Sequence, residues 1–158
     1  MLEDPEIDAV SVCTANHLHA EITIAALKAQ KHVLCEKPMA VTAEECRAMV
    51  QAAKESGCCL MIAHNQRFAK AHRKARALLM EGVIGEILSF RTTFGHQGPE
   101  TWSINREGKD LWFFDPKAAG MGAMGDLGVH KTDLIQFLTG QRIKEVTAKL
   151  TTLDKKDG

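Results

Sequence analysis

Residues 9–35 read AVSVCTANHLHAEITIAALKAQKHVLC, and this stretch decides the fold. Residues 9–13 form a short apolar run, the pattern of a buried strand. Residues 14–17 are a polar turn. From 19 to 30, Ala20, Ile24 and Leu27 recur at helical spacing. Residues 32–35 are a second apolar run, too short for a helix. Strand, helix and strand in this rhythm make a βαβ unit, and a crossover helix demands parallel strands.

The unit is extended once downstream. Thr42 and Glu45 stand as T-x-x-E, the pattern of a capping box. Cys46, Met49, Val50 and Ala53 fall at i, i+3, i+4 and i+7, and Gly57 sits where a left-handed residue closes a helix. Residues 58–63 supply a third apolar run. The expectation is three adjacent parallel strands with at least one bare edge, and with Val12, Leu34 and Ile62 buried against two crossover helices.

After Arg67 the pattern changes. Residues 69–81 form a basic amphipathic helix closed by Gly82. Residues 86–94 alternate, with Leu88, Phe90 and Phe94 on one face, as in a half-buried antiparallel strand. Residues 96–109 read as a polar loop and 126–138 as a helix stopped by Gly140. Residues 145–153 alternate again, through Val146, Ala148 and Leu150. The fold class expected is α/β: a partial Rossmann-like parallel sheet over 1–67, then part of an α+β domain with an antiparallel sheet over 68–158. Both parts look incomplete, because long open edges are a liability. The chain reads as a fragment, or as one that needs further polypeptide beside it.

Composition excludes several classes. Over 158 residues, 45% hydrophobic and 25% charged is ordinary globular usage. Twenty Lys and Arg balance twenty Asp and Glu, so no net field draws the chain to nucleic acid or an anionic membrane. No apolar run approaches the ~18 residues of a membrane span. Residues 1–8 carry four acids and no base, the reverse of a signal peptide. Five cysteines without a C-x-x-C read as buried, reduced thiols of a cytoplasmic protein, and no pair has zinc-ligand spacing. Two Trp, six Phe and no Tyr argue against an aromatic platform for carbohydrate or RNA.

Four places could carry chemistry. Gly120-Met-Gly-Ala-Met-Gly125 matches G-x-G-x-x-G, but no strand leads directly into it, so close backbone packing competes with phosphate binding. Asp126 and His130 are four apart on the expected helix and share its inward face, where a carboxylate can orient an imidazole general base or simply form a structural pair. Glu36-Lys37-Pro38 follows the second strand directly, at the end of the sheet where open α/β folds bind ligands. An ammonium there can stabilise a developing alkoxide, or it can be half of a solvated pair. Thr14, Asn16 and His19 lie at the end of the first strand, where Asn16 could equally cap the following helix.

Together these pieces resemble the Gfo/Idh/MocA family of NAD(P)-dependent oxidoreductases. Thr14-Ala-Asn-His-Leu-His19 looks like its T-P-N-x-x-H loop, and Lys31-His-Val-Leu-Cys-Glu-Lys-Pro38 like its K-H-V-x-x-E-K-P segment. His64-Asn-Gln-Arg-Phe68 is similar to its N-x-R-F stretch, and residues 120–130 to G-G-G-x-x-x-D-x-G-x-H. Ala15 replaces a proline and Met121 a glycine of those patterns. The family's G-x-G-x-x-G pyrophosphate loop is expected ahead of Met1, and most of its substrate-domain sheet beyond Gly158.

The resemblance implies hydride transfer between NAD or NADP and a secondary alcohol or ketone of a polyol or sugar. It implies Lys37, Asp126 and His130 as catalytic residues. Thr14, Asn16, His19, Glu36 and Lys37 would lie along the cofactor, and Gln66 and His96 would contact substrate. It implies no metal, no nucleic acid and no membrane, and homo-oligomers formed through the second domain's sheet. Two other classes stand beside it. One is a non-catalytic, partner-dependent module that does not bind the cofactor alone. The other is a metal-dependent hydrolase using Asp126, His130 and His96.

Overall fold

The computed structural model describes residues 1–102 and 111–151. The chain divides into two compact units. One comprises Met1–Ala63 with Gln97–Asp126, the other His64–His96 with Leu127–Gly158.

The first unit is built on strands β1 (Ala9–Val12), β2 (His32–Cys35) and β3 (Leu60–Ile62). Helices α1 (His19–Lys28) and α2 (Ala43–Ser56) connect them. The strands pair in parallel in the order β1-β2-β3, with Val12 opposite Cys35 and Cys35 opposite Ile62. Among the described residues β1 and β3 each have one neighbour and one bare edge. The capping box forms as the sequence predicts: Glu45 N donates to Thr42 Oγ1, and Thr42 N donates back to the Glu45 carboxylate. Gly57 closes α2 in the left-handed conformation, at φ +70°.

Val12, Val33 and Cys35 join Ala26 and Leu27 of α1 and Met49 of α2 in one buried cluster. Both crossover helices therefore cover the same face of the sheet. This corrects the expectation for Leu34, which is 40% exposed, while Val33 and Cys35 beside it are buried. Successive side chains of a strand point to opposite faces, and the helices occupy one. Ile62 is half-buried, and the same alternation leaves Met61 exposed.

Residues 97–126, assigned to the second domain by a boundary at 67/68, pack with residues 1–63. This segment contains a 3-10 turn, Trp112–Phe114, and the short helix α3 (Pro116–Ala119). Asp115 caps α3 through the Lys117 N–H, with Pro116 at the first helical position.

The second unit is built on helices α4 (Lys70–Met80) and α5 (Val129–Thr139). The helix expected from residue 126 begins earlier, since the chain is already helical at Gly122. Met124–Gly128 is a wide π turn, and α5 then runs to Gly140, left-handed at φ +70°. The two alternating segments are not strands among the described residues, since 87–96 and 141–151 carry no regular structure. The remainder of 145–153 lies outside the described residues. Alternation marks which side chains share a face, but a strand also needs a hydrogen-bonded partner. Leu88, Val146 and Leu150 are accordingly exposed.

The thiols are all free but not all buried. Cys35 is buried, Cys46 and Cys58 are half-buried, and Cys13 and Cys59 are exposed. Cys13 follows the last residue of β1, and Cys59 precedes the first of β3, outside the covered part of the sheet. Among the described residues no helix is long and apolar enough to cross a membrane.

Candidate active site

A cavity of about 180 Å³ opens in the first unit at the carboxyl ends of β1 and β2. Thr14, Asn16, Glu36, Lys37 and Asp126 line it, as does Cys13. A ring pair from the 97–126 segment, Trp112 and Phe113, completes the wall. Its place follows from the βαβ topology, which gathers the loops that leave parallel strands at one end of the sheet.

Lys37 is the centre of the polar wall. Its Nζ donates to Asp126 Oδ1 and to the Asp126 backbone oxygen, both at 3.0 Å. An ammonium has three N–H groups, so one is left for another acceptor. The two side chains are only 17% and 16% exposed, which keeps the pair in a poorly screened setting. The Lys37 backbone N–H is held by the Glu36 carboxylate at 3.1 Å, and the Lys37–Pro38 peptide bond is cis.

Asn16 is not a helix cap. No side chain caps α1, and Asn16, 6% exposed, donates through Nδ2 to Ala119 O at 2.9 Å. His17 Nδ1 lies 3.4 Å from the neighbouring Ala118 O. Two side chains from the end of β1 therefore bind the carbonyl end of α3, and Lys37 binds Asp126 seven residues beyond it. These bonds give the physical reason that the 97–126 segment packs with the sheet.

The resemblance puts His19 along the cofactor, but its side chain does not line the cavity. It is 1% exposed, with Nδ1 2.7 Å from Pro38 O and Nε2 3.0 Å from Thr14 O. It ties the loop after β1 to the loop after β2.

Two of the three glycines at 120–125 are closely packed. Gly120 has φ +81°, and a Cβ there would lie 2.5 Å from Val41 Cγ1. Gly125 is buried, and its Cβ would meet Met121. The preceding element is α3 rather than a strand, so the dinucleotide geometry is absent at this G-x-G-x-x-G. Among the described residues none of the three strand ends carries a glycine loop.

His130, Gln66 and His96 belong to the second unit. The His130 ring meets Phe94 edge to face, 5.8 Å between centroids. Lys131 Nζ lies 4.6 Å from the centre of the same Phe94 ring and donates to Gln66 Oε1 at 3.3 Å. His96 is exposed. Sequence reasoning missed the most buried charge of this unit, Asp133. It accepts two hydrogen bonds from Arg67, through Nε at 2.8 Å and through the terminal nitrogen, with His64 Nδ1 at 3.7 Å. The Asp133 carboxylate raises the Arg67 guanidinium above its already high pKa, mainly by hydrogen bonding. The available signal was an acid three residues after His130, on the same helical face.

The comparisons with known proteins agree with this geometry. The chain is 42% identical over 152 residues to levoglucosan dehydrogenase of Pseudarthrobacter phenanthrenivorans, covering 96% of this chain and 38% of that protein. It is 40% identical to 1,5-anhydro-D-fructose reductase of Ensifer adhaerens, covering 94% and 42%. A solved structure of levoglucosan dehydrogenase in complex with NADH and levoglucosan superposes with a TM-score of 0.78 at 41% identity, covering 89% and 37%. The chain thus spans about two fifths of the length of these relatives. Residues 1–64 match an oxidoreductase family with an NAD-binding Rossmann fold, and residues 72–158 match that family's C-terminal domain, so the chain belongs to the Gfo/Idh/MocA family.

Proposed function

We propose that the protein is an NAD(P)-dependent oxidoreductase acting on a secondary alcohol, or the matching ketone, of a cyclic polyol or sugar. The observation that carries the reading is the Lys37–Asp126 pair inside a cavity at the carboxyl end of a parallel sheet. Relatives of this chain act on anhydro sugars, and one has been seen with NADH and levoglucosan.

The cavity suits the nicotinamide end of such a cofactor. A hydroxyl from Thr14, an amide from Asn16, a carboxylate from Glu36 and an ammonium from Lys37 form a donor and acceptor set for ribose hydroxyls. When bound, the cofactor accepts or donates the hydride. In the oxidation, Lys37 donates its remaining N–H to the substrate hydroxyl and stabilises negative charge developing on that oxygen. Asp126 holds the ammonium in place. His130 is the general base that takes the hydroxyl proton, and this role requires α5 to present its imidazole to the cavity. Gln66 and His96 contribute substrate contacts on the same condition.

The reading extends to the setting of the protein. Five free thiols suit the reducing cytoplasm. The exposed apolar positions Leu88, Val146 and Leu150 supply a surface for association of copies.

The experiment is steady-state kinetics on the protein encoded by the complete reading frame. Lys37→Ala and His130→Ala should each lower kcat by ~10²-fold or more. The double variant should fall well short of the product of the two losses, because the residues act as a unit. Near-wild-type turnover in either single variant ends this mechanism.

A further inference from the structure

Two consecutive side chains of α5 grip one ring. The His130 imidazole meets the Phe94 ring at 5.8 Å between centroids with the planes 70° apart, the edge-to-face geometry that aromatic pairs prefer. The Lys131 ammonium lies 4.6 Å from the centre of the same ring, a cation–π contact. Lys131 is itself tied down, because its Nζ donates to Gln66 Oε1 at 3.3 Å. All four residues belong to the second unit. Phe94 stands in residues 87–96, which carry no regular structure, so side-chain contacts rather than a strand ladder hold its ring.

A general base works only when its lone pair points at the proton it takes. The helix backbone fixes where the His130 side chain starts, but the last torsion of a histidine is broad and leaves the ring plane open. An edge-to-face neighbour narrows that torsion, since turning the imidazole gives up the favoured angle or drives it into the Phe94 ring. We propose that Phe94 is a positioning residue: it sets the plane of the His130 imidazole, and Lys131, anchored on Gln66, keeps the Phe94 ring where that contact holds. The proposal rests on the oxidoreductase reading above, in which His130 is the base, and it adds a residue that acts on the reaction through His130. Phe94 is 43% exposed, so shortening its side chain empties little of a core, and the effect falls on His130 rather than on folding.

The test uses the protein encoded by the complete reading frame, with NAD or NADP and the better of myo-inositol and D-glucose as substrate. Phe94→Leu should lower kcat about tenfold, as misaligned reacting groups do, and leave KM within about twofold. Phe94→Tyr, which keeps the ring, should hold kcat within about twofold of wild type. Lys131→Met should lower kcat about threefold, and Lys131→Arg, which keeps a cation over the ring, should restore it. The sharpest readout is the cycle with His130→Ala. A residue that acts through His130 has nothing to position once the imidazole is gone, so in that background Phe94→Leu should cost less than about twofold. A further readout needs no turnover: the His130 ring-proton resonances should carry a ring-current shift that Phe94→Leu removes and Phe94→Tyr keeps. Unchanged kcat in Phe94→Leu, the full loss repeated in the His130→Ala background, a loss confined to KM, or His130 resonances indifferent to Phe94→Leu each overturn the proposal. Wild-type protein without NAD(P)-linked turnover of either substrate removes the oxidoreductase reading itself, and the proposal with it. Full activity in His130→Ala removes the base and the proposal together. Normal wild-type turnover, a needed His130 and an indifferent Phe94→Leu remove the proposal alone.

Discussion

The two units of this chain are held together by different forces. The first buries a continuous apolar cluster between one face of a parallel sheet and two helices, with Leu27, Met49 and Cys35 fully enclosed. The second buries few apolar side chains, chiefly Leu134 and Leu138, and binds α4 and its preceding turn to α5 through charged groups. Arg67 clasps Asp133, Arg76 donates to Phe137 O, and both guanidiniums lie over the Phe137 ring. Burying apolar area is tolerant of geometry, whereas a bidentate guanidinium–carboxylate pair fixes direction and register. The unit with the apolar core resembles a scaffold. The unit with the polar clasp sets the placement of one helix, the one that carries His130.

The contrast can be tested by removing one contact from each unit. The largest effect is expected from Leu27→Ala, which leaves a cavity in the middle of the first core. It should cost about 2–5 kcal/mol in urea unfolding, with little dependence on salt. A loss below about 1 kcal/mol would show that the cluster is loosely packed.

Arg67→Ala should cost less, about 1–2 kcal/mol, because the Arg67 side chain is 45% exposed and its pairing is partly screened. Its mark is selectivity: hydrogen exchange should quicken in α4 and α5 and stay unchanged in α1 and α2. Uniform quickening across both units would break the distinction between them.

The smallest effect comes from pH. Burial pushes the Cys35 thiol above its ordinary value of 9.0 in the folded protein. Above about pH 9 the unfolded chain has lost a proton that the folded chain still holds, so stability falls as pH rises. Below that pH the thiol is neutral in both states and contributes no slope. Cys35→Ala should flatten this alkaline limb, by at most ~1.4 kcal/mol per pH unit, as read from urea midpoints at about pH 8 and pH 10. A limb of unchanged slope would assign the alkaline loss to other groups.

Legibility in the sequence followed the same division. Period and capping are local signals, so the T-x-x-E box, Gly57 and the three apolar runs are legible in the order of residues alone. The alternating stretches 87–96 and 141–151 carry an equally clear period, yet no ladder forms there among the described residues. Pairing is a property of two segments, and period describes one. The aromatic wall was invisible for a related reason. A low count of Trp and Phe says nothing about whether two of them stand side by side against a cavity, as Trp112 and Phe113 do.

The sequence by itself determined the βαβ order, the two ends of α2 and the family, because each is written in spacing along one stretch of chain. It also marked Lys37 and Asp126 as chemistry-bearing residues. Only the tertiary structure decided that the two are partners, since 89 positions separate them and no local rule joins them. It also decided that Asn16 holds the end of a distant helix instead of capping its own, and that His19 ties the loop after β1 to the loop after β2. The reason is physical: a buried donor must find an acceptor wherever the fold provides one, and the fold, not the neighbouring sequence, places the carbonyl oxygens of Ala119, Pro38 and Thr14 within reach.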